Sequence, residues 1–333
     1  RKQLFRAVND IGIHAIALDI PRRNPAMNAF RTEHDLLGER DVPAGAYWGI
    51  HTLRALENFP ISSQTIGSYP DLVRALALVK QAAALANRDL GELEAIHAEA
   101  IIAACQEITT GALHDQFVVD VIQGGAGTST NMNANEVICN RALELLGRPR
   151  GDYATLHPIN HVNMSQSTND VYPTALCVAA CFALHELLAA MAELRLAFSA
   201  KADEFRNVLK LGRTQLQDAV PMTLGQEFAT YAIMLGEDET RLEEALGLIH
   251  EINLGATAIG TGINTDARYR HLVVRHLAEL SALPLVSAEN LVEATQDTGA
   301  FIQLSGVLKR IACKLSKTCN DLRLLSSGPQ AGL

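Results

Sequence analysis

Short hydroxyl and amide side chains cluster in three loops of this 333-residue chain, each ahead of a stretch patterned as a helix. They read Gly124-Gly125-Ala126-Gly127-Thr128-Ser129-Thr130-Asn131-Met132-Asn133, Ser165-Gln166-Ser167-Thr168-Asn169-Asp170, and Gly212-Arg213-Thr214-Gln215-Leu216-Gln217-Asp218. A helix begins with unpaired backbone N–H groups and the positive end of its macrodipole, so such loops attract anions. Brought to one spot, the three would hold a small dicarboxylate without a basic patch.

Each residue type has a competing structural use. Thr128 follows Gly125-Ala126-Gly127, where missing side chains let a ligand approach the backbone. Its hydroxyl can donate to a carboxylate or accept from an ammonium, and it can equally cap the next helix. Ser167, Thr168 and Asn169 stand before Pro173 and the longest helical stretch. One helix needs one cap, so three polar residues in a row favour a ligand there. Thr214 and Gln215 precede Pro221, the expected first residue of another helix, with Asp218 as its expected cap. Arg54 could lend positive charge to a pocket; a solvated arginine is the competing reading.

The elements that would position these residues are mainly helical. Residues 32–64, punctuated by Gly38, Pro43, Gly45, Gly49 and Pro60, read as loops with short extended pieces. Helices are expected over about 71–87, with Asp71 as cap, over 93–109, and from the Thr128 loop to about Leu146. From Thr174 to Lys210 neither Gly nor Pro occurs and apolar residues recur at three- and four-residue spacing, which predicts a helix of roughly 30–35 residues. Further helices are expected from Pro221 to about Asn253 and from Thr298 to Leu325. Long helices with wide apolar faces pack as a bundle, and a second copy covers what one chain leaves open. This divides the chain into a small N-terminal helical domain (31–166) and a long-helix domain (167–333), with 1–30 an unassigned extension. Those first residues lack the apolar core and cleavage site of a secretory leader.

Composition narrows the function classes. Hydrophobic residues make up 48% and aromatics only 5%, which favours helix packing over a β-sandwich. A net charge of -9 argues against general nucleic-acid binding. No apolar run approaches the roughly 20 residues that cross a bilayer, so no membrane partner is expected. The six cysteines show no Cys-x-x-Cys spacing and read as reduced thiols of a cytoplasmic protein. Cys177, Cys181 and His185 share one helical stripe, but its ends are roughly 12 Å apart along the axis, too far for one tetrahedral ion. No metal and no cofactor is expected.

The three loops, in this order, resemble the aspartase/fumarase superfamily. Ala219-Val220-Pro221-Met222-Thr223-Leu224-Gly225-Gln226-Glu227 continues the likeness, as do Leu254-Gly255-Ala256-Thr257-Ala258-Ile259-Gly260-Thr261-Gly262-Ile263-Asn264 and Cys319-Asn320-Asp321-Leu322-Arg323-Leu324-Leu325. Ala46-Tyr47-Trp48-Gly49-Ile50-His51-Thr52-Leu53-Arg54-Ala55-Leu56-Glu57-Asn58-Phe59 looks more like aspartate ammonia-lyases than fumarases. The likeness runs from about Arg31 to Leu333.

The resemblance implies a mainly α fold and anti-elimination of ammonia from L-aspartate to give fumarate, through an enediolate and without an organic cofactor. It implies that Thr128, Ser167, Thr168, Asn169, Thr214 and Gln215 bind the substrate's carboxylate and amino groups. It also implies a homotetramer whose sites combine loops from three subunits. Fumarases and some aspartases carry a histidine where this chain has Gln215, and glutamine cannot relay a proton. His157-Pro158-Ile159-Asn160-His161-Val162-Asn163 departs from the family at Ile159 and Asn160, so a packed loop is expected there instead of an accessory anion site. The family's base is a serine on a Gly-Ser-Ser-x-x-Met-Pro-x-Lys-x-Asn loop. No such loop occurs in these residues; it is expected beyond Leu333, and the chain alone is expected to be incomplete and to turn over no aspartate. Ser326 and Ser327 read as a helix end before a Gly-Pro turn. A class II fumarase and a non-catalytic helical scaffold are the alternatives.

Overall fold

The computed structural model describes residues 29–328. The expectations for residues 1–28 and 329–333 lie outside them. The fold is mainly α, with three two-stranded sheets among the described residues. A hairpin of β1 (Phe30–Asp35) and β2 (Gly38–Pro43) leads into α1 (Ile50–Asn58). Helices α2 (Pro70–Leu90), α3 (Ala95–Thr109) and α4 (Thr128–Leu145) follow within a residue or three of the expected limits. Pro70 supplies the preset φ of a first turn, and Gly91 ends α2 in a left-handed conformation. Leu76, Val79, Ile101, Ile108, Ile138 and Leu143 form the core between these helices.

Helix α1 was not anticipated, and the reason lies far away in sequence. Its N-terminal N–H groups have no local cap; the buried Glu136 carboxylate of α4 accepts Gly49 N–H at 2.8 Å, His51 N–H at 2.8 Å and Thr52 N–H at 3.1 Å. A cap borrowed from 84 to 87 residues away leaves no local signal.

The longest helix, α5 (Thr168–Glu204), has 37 residues, about 55 Å at 1.5 Å per residue. It is displaced six residues toward the N-terminus from its expected start and end. Pro173 lies inside it, because the carbonyl that the proline cannot serve finds another donor: Asn169 O accepts Asn253 Nδ2 at 3.0 Å. After α5 the chain forms a hairpin, β3 (Leu209–Thr214) and β4 (Gln217–Thr223), irregular between Leu211 and Arg213. Pro221 and Asp218 therefore sit in β4 and start no helix. Helix α6 (Leu224–Ile249) is capped by Thr223, in a reciprocal box with Gln226.

A short strand β5 (Glu251–Ile252) pairs in parallel with β6 (Val286–Ser287), with α7 (Tyr269–Ser281) between them. The chain then forms α8 (Leu291–Ala294) and α9 (Gly299–Leu325). Helix α5 packs along α6 and α2, α6 along α9, and α2 also against α3 and α7. An added Cβ at Gly225 would stand 2.4 Å from Ala202 O, so only glycine allows α6 to start this close to α5.

One sequence expectation needs correcting. Helix α5 is long and apolar enough to cross a membrane by length and composition, with an 18-residue window of mean hydropathy 1.9. Only 33% of that window is buried within this chain. Val171, Ala175, Val178, Cys181 and Leu184 face the core, while other apolar residues of the helix, Leu196 among them, are left open.

Candidate active site

An open cavity of about 430 Å³ lies at the N-terminal end of α5. Asn131 of α4, the loop running from Asn163 to Thr168, and the loop from Thr257 to Thr265 line it, and none of its lining residues is charged. Hydroxyls and amides therefore make all the polar contacts it can offer.

Asp170 joins two of these walls. Its Oδ1 accepts Ser167 N–H at 2.9 Å, completing the cap in which Ser167 Oγ accepts Asn169 N–H at 3.2 Å. Its Oδ2 accepts the N–H groups of Gly255 and Thr257, each at 3.0 Å. Burial raises the Asp170 carboxyl to about 6, against the lowering effect of these backbone bonds and of the Lys80 charge. Asn169 adds a second tie, its Nδ2 donating to Ala258 O at 2.7 Å.

The floor of the cavity is held from α2. Lys80 has no exposed surface, and its ammonium donates to Asn163 Oδ1 and Gln166 Oε1, both at 2.9 Å. Burial pushes Lys80 down to about 7, with Asp170 and Cys105 opposing. Two turns along the same helix, Asn87 donates to Met164 O at 3.0 Å and accepts from Ser165 Oγ at 2.8 Å. Asn163 Oδ1 also takes Asn131 Nδ2 at 3.1 Å and Asn135 Nδ2 at 3.2 Å. Asn131 Nδ2 reaches on to Thr168 Oγ1 at 3.2 Å.

Of the residues singled out from sequence, Ser167 and Thr168 line this cavity together. Asn169 turns to an adjacent open cavity of about 530 Å³, which it shares with Gly127, Tyr172 and Pro173. Thr128 is not the expected cap: Gly127 occupies that position, and the Thr128 hydroxyl donates to Gly125 O at 2.5 Å. Thr214 ends β3, and Gln215 and Leu216 form the hairpin tip with φ of 50° and 62°. That hairpin follows the far end of α5, so one chain does not bring Thr214 and Gln215 to Thr168. Gln215 lines a separate cavity of about 440 Å³ with Lys210, Arg213, Lys317 and Asp321. Its cations are already engaged: Lys210 with Glu227, Arg213 with Asp218, and Lys317 with Asp321.

Arg54 is neither solvated nor at the cavity; it makes a two-pronged pair with Asp35, both bonds at 2.7 Å. The His157 loop is a π-helical turn, Pro158–Val162, and His157 Nδ1 itself accepts the Ile159 and Asn160 N–H groups. Donors that could meet an anion there are thus used within the loop. Cys177 and Cys181 are buried free thiols. No cluster of metal-ligating side chains occurs among the described residues. Ser326 closes α9, its hydroxyl donating to Leu322 O at 2.8 Å.

Sequence reading did not single out Lys80, Asn87, Asn163, Asn253 or Thr257. A signal existed for Lys80, the one charged residue between Arg74 and Arg88 in an otherwise apolar and neutral run.

A family model described as a lyase matches residues 38–333. The chain is 61% identical over 307 residues to a protein named aspartate ammonia-lyase from Pseudomonas canavaninivorans, covering 92% of this chain and 65% of that protein. It is 55% identical over 307 residues to the aspartate ammonia-lyase of Escherichia coli (strain K12), covering 92% and 64%. The chain thus spans about 65% of the length of these relatives. Among solved structures, a fumarate lyase:delta crystallin from Brucella melitensis superposes with a TM-score of 0.90 at 58% identity, over 91% of this chain and 66% of that one. A recombinant class II fumarase from Schistosoma mansoni superposes with a TM-score of 0.86 at 35% identity, over 91% and 67%. Motif order, fold and a family match over 38–333 agree, and the chain belongs to this lyase family, the aspartase/fumarase superfamily.

Proposed function

We propose that this chain carries the substrate-binding part of an aspartate ammonia-lyase. A base takes the proton from the carbon beside one carboxylate of L-aspartate, and the electron pair moves into that carboxylate as an enediolate. The pair then returns to form the double bond, the carbon–nitrogen bond breaks, and ammonia leaves fumarate. Donors that meet the extra charge of the enediolate stabilise the transition state more than the ground state. Ser167 and Thr168 are proposed to do so, with Thr128, Asn169, Thr214 and Gln215 as the remaining substrate contacts. The base is proposed to be the family's loop serine, which residues 1–333 do not include.

One observation carries the reading: an uncharged cavity walled by the hydroxyls of Ser167 and Thr168, in a chain 61% identical to a protein named aspartate ammonia-lyase. The site is proposed to be shared within a homotetramer. Two facts support this: Thr168 and Thr214 lie at opposite ends of a 37-residue helix, and the open apolar surface of α5 calls for a cover. A second copy meets that need better than lipid, because the same helix also carries the buried, charged Asp170. Six free cysteines, four of them buried, support a cytoplasmic location. The division at residue 166 is retained as the proposed domain boundary.

The similarity to a class II fumarase keeps one alternative in view, and Gln215 disfavours it. Assaying the complete gene product on both substrates decides. Equal amounts of fumarate and ammonia from L-aspartate support the lyase; hydration of fumarate without ammonia release assigns a fumarase; neither activity assigns a scaffold. The 333 residues alone are predicted to release no ammonia.

A further inference from the structure

We propose that Lys80 is a positioning residue of this site: a buried cation that, through Asn163 and Asn131, turns the Thr168 hydroxyl into a donor toward a bound dicarboxylate. The inference rests on the lyase reading above and names a residue that never touches the ligand.

The direction of the hydrogen bonds follows from Lys80, seconded by the Gln166 carbonyl, which accepts Asn163 Nδ2 at 3.2 Å. An ammonium donates and cannot accept, so Asn163 must present its oxygen to Nζ at 2.9 Å. That oxygen then accepts from Asn131, which must present its nitrogen at 3.1 Å. The same nitrogen has a second hydrogen, and it goes to Thr168 Oγ1 at 3.2 Å. A hydroxyl that accepts on this side has its single proton left to give elsewhere, and Thr168 lines the cavity. Among the described residues no hydrogen bond takes that proton.

Without the cation, the chain's polarity rests on one 3.2 Å bond, from Asn163 Nδ2 to Gln166 O. Asn163 could turn its amide over, Asn131 would follow, and the Thr168 proton would then be spent on the Asn131 oxygen. Thr168 would offer an acceptor where a dianion needs a donor. Lys80 also supplies the positive charge that the cavity walls lack, one side chain behind the surface. Asp170 lies near enough to favour the ammonium, but among the described residues Lys80 makes no ion pair with it.

The test is calorimetric titration, at about pH 6 where Lys80 keeps its proton, of sodium fumarate into the assembled chain and into Lys80→Met, Thr168→Val and the double variant. Thermal unfolding confirms that each is folded. The expected result is saturable binding by the parent, a loss of about tenfold in Lys80→Met, and no further loss when Lys80→Met is added to Thr168→Val. That coupling separates positioning from a general loosening of the fold, which would weaken binding equally in both backgrounds. Equal loss in both backgrounds, or full affinity in Lys80→Met, overturns the proposal while the lyase reading stands. No fumarate binding by the parent overturns both. Should Lys80→Met not fold, Lys80→Gln, whose amide can accept as well as donate and so leaves the polarity unfixed, is read by the same criteria.

Discussion

Asp170 and Thr257 are 87 positions apart, yet the carboxylate of one accepts the backbone N–H of the other at 3.0 Å, closing the cavity between two loops. The same carboxylate caps α5 through Ser167 N–H. One side chain thus fixes both the start of the longest helix and the opposite wall of the candidate site. An amide has one accepting oxygen where the carboxylate has two. Asp170→Asn is therefore predicted to lose either the cap or the tie to Gly255 and Thr257. The expected cost is roughly 1–3 kcal/mol in denaturant unfolding, with weaker fumarate binding. Unchanged unfolding midpoint and affinity would remove this role.

Lys80 gives a pH signature. Its folded value is about 7, set by burial, against an ordinary lysine value of about 10.4. Between the two, the unfolded chain holds a proton that the folded chain has released, so this group makes the fold more stable as pH rises. Buried thiols such as Cys105, pushed up by burial, pull the other way above their ordinary range. The parent is therefore compared with Lys80→Met. From about pH 7.5 to 9.5 the parent should gain on the variant by roughly 1 kcal/mol per pH unit. The neighbouring Asp170, at about 6, titrates below this window. A pH-independent difference would mean that Lys80 is not held neutral-prone in the fold.

Gly127 is predicted to be intolerant of a side chain. It holds φ +93°, and an added Cβ would stand 2.4 Å from the Tyr172 ring. Gly147 is also left-handed, at φ +71°, but has open space around it. Gly147→Ala should cost only the backbone term, about 1 kcal/mol. Gly127→Ala should cost a further 1–3 kcal/mol from overpacking, at the mouth of the cavity shared with Asn169. Equal melting temperatures for the two variants would show that Tyr172 yields freely.

Assembly is predicted to follow from the apolar surface of the long helices. Leu196 of α5 is 61% exposed and Ile302 of α9 is 69% exposed. Light scattering on the purified chain should give a tetramer, and Leu196→Glu should shift it to smaller species. A monomeric parent would contradict the shared site.

Much of this was legible because the signals are local. The periodic runs of α2, α3, α4 and α9 carry their own boundaries, and the resemblance rests on contiguous motifs. Errors arose where distant groups supply what the local chain lacks. Asn253 replaces the donor missing at Pro173, so α5 begins six residues early. Glu136 caps α1 from another helix, so α1 carried no mark of its own. The α6 start differs from its expected place for another reason: the local Thr223–Gln226 box sets it, and Pro221 lies in β4. Within the site, Ser167 and Thr168 were visible as polar residues in excess of a cap. Lys80 was hidden because a lysine in a helix is read as solvated until its burial is known.

The most direct measurement mixes two defective chains. Thr168→Val and Thr214→Val are each predicted to lose tight fumarate binding. If one copy supplies Thr168 and another Thr214, then dissociating and reassembling an equal mixture places both intact residues together in about a quarter of the sites. Calorimetry on the mixture should recover that fraction at parental affinity. Recovery of none, with both variants folded and assembled, would contradict a dicarboxylate site built between copies.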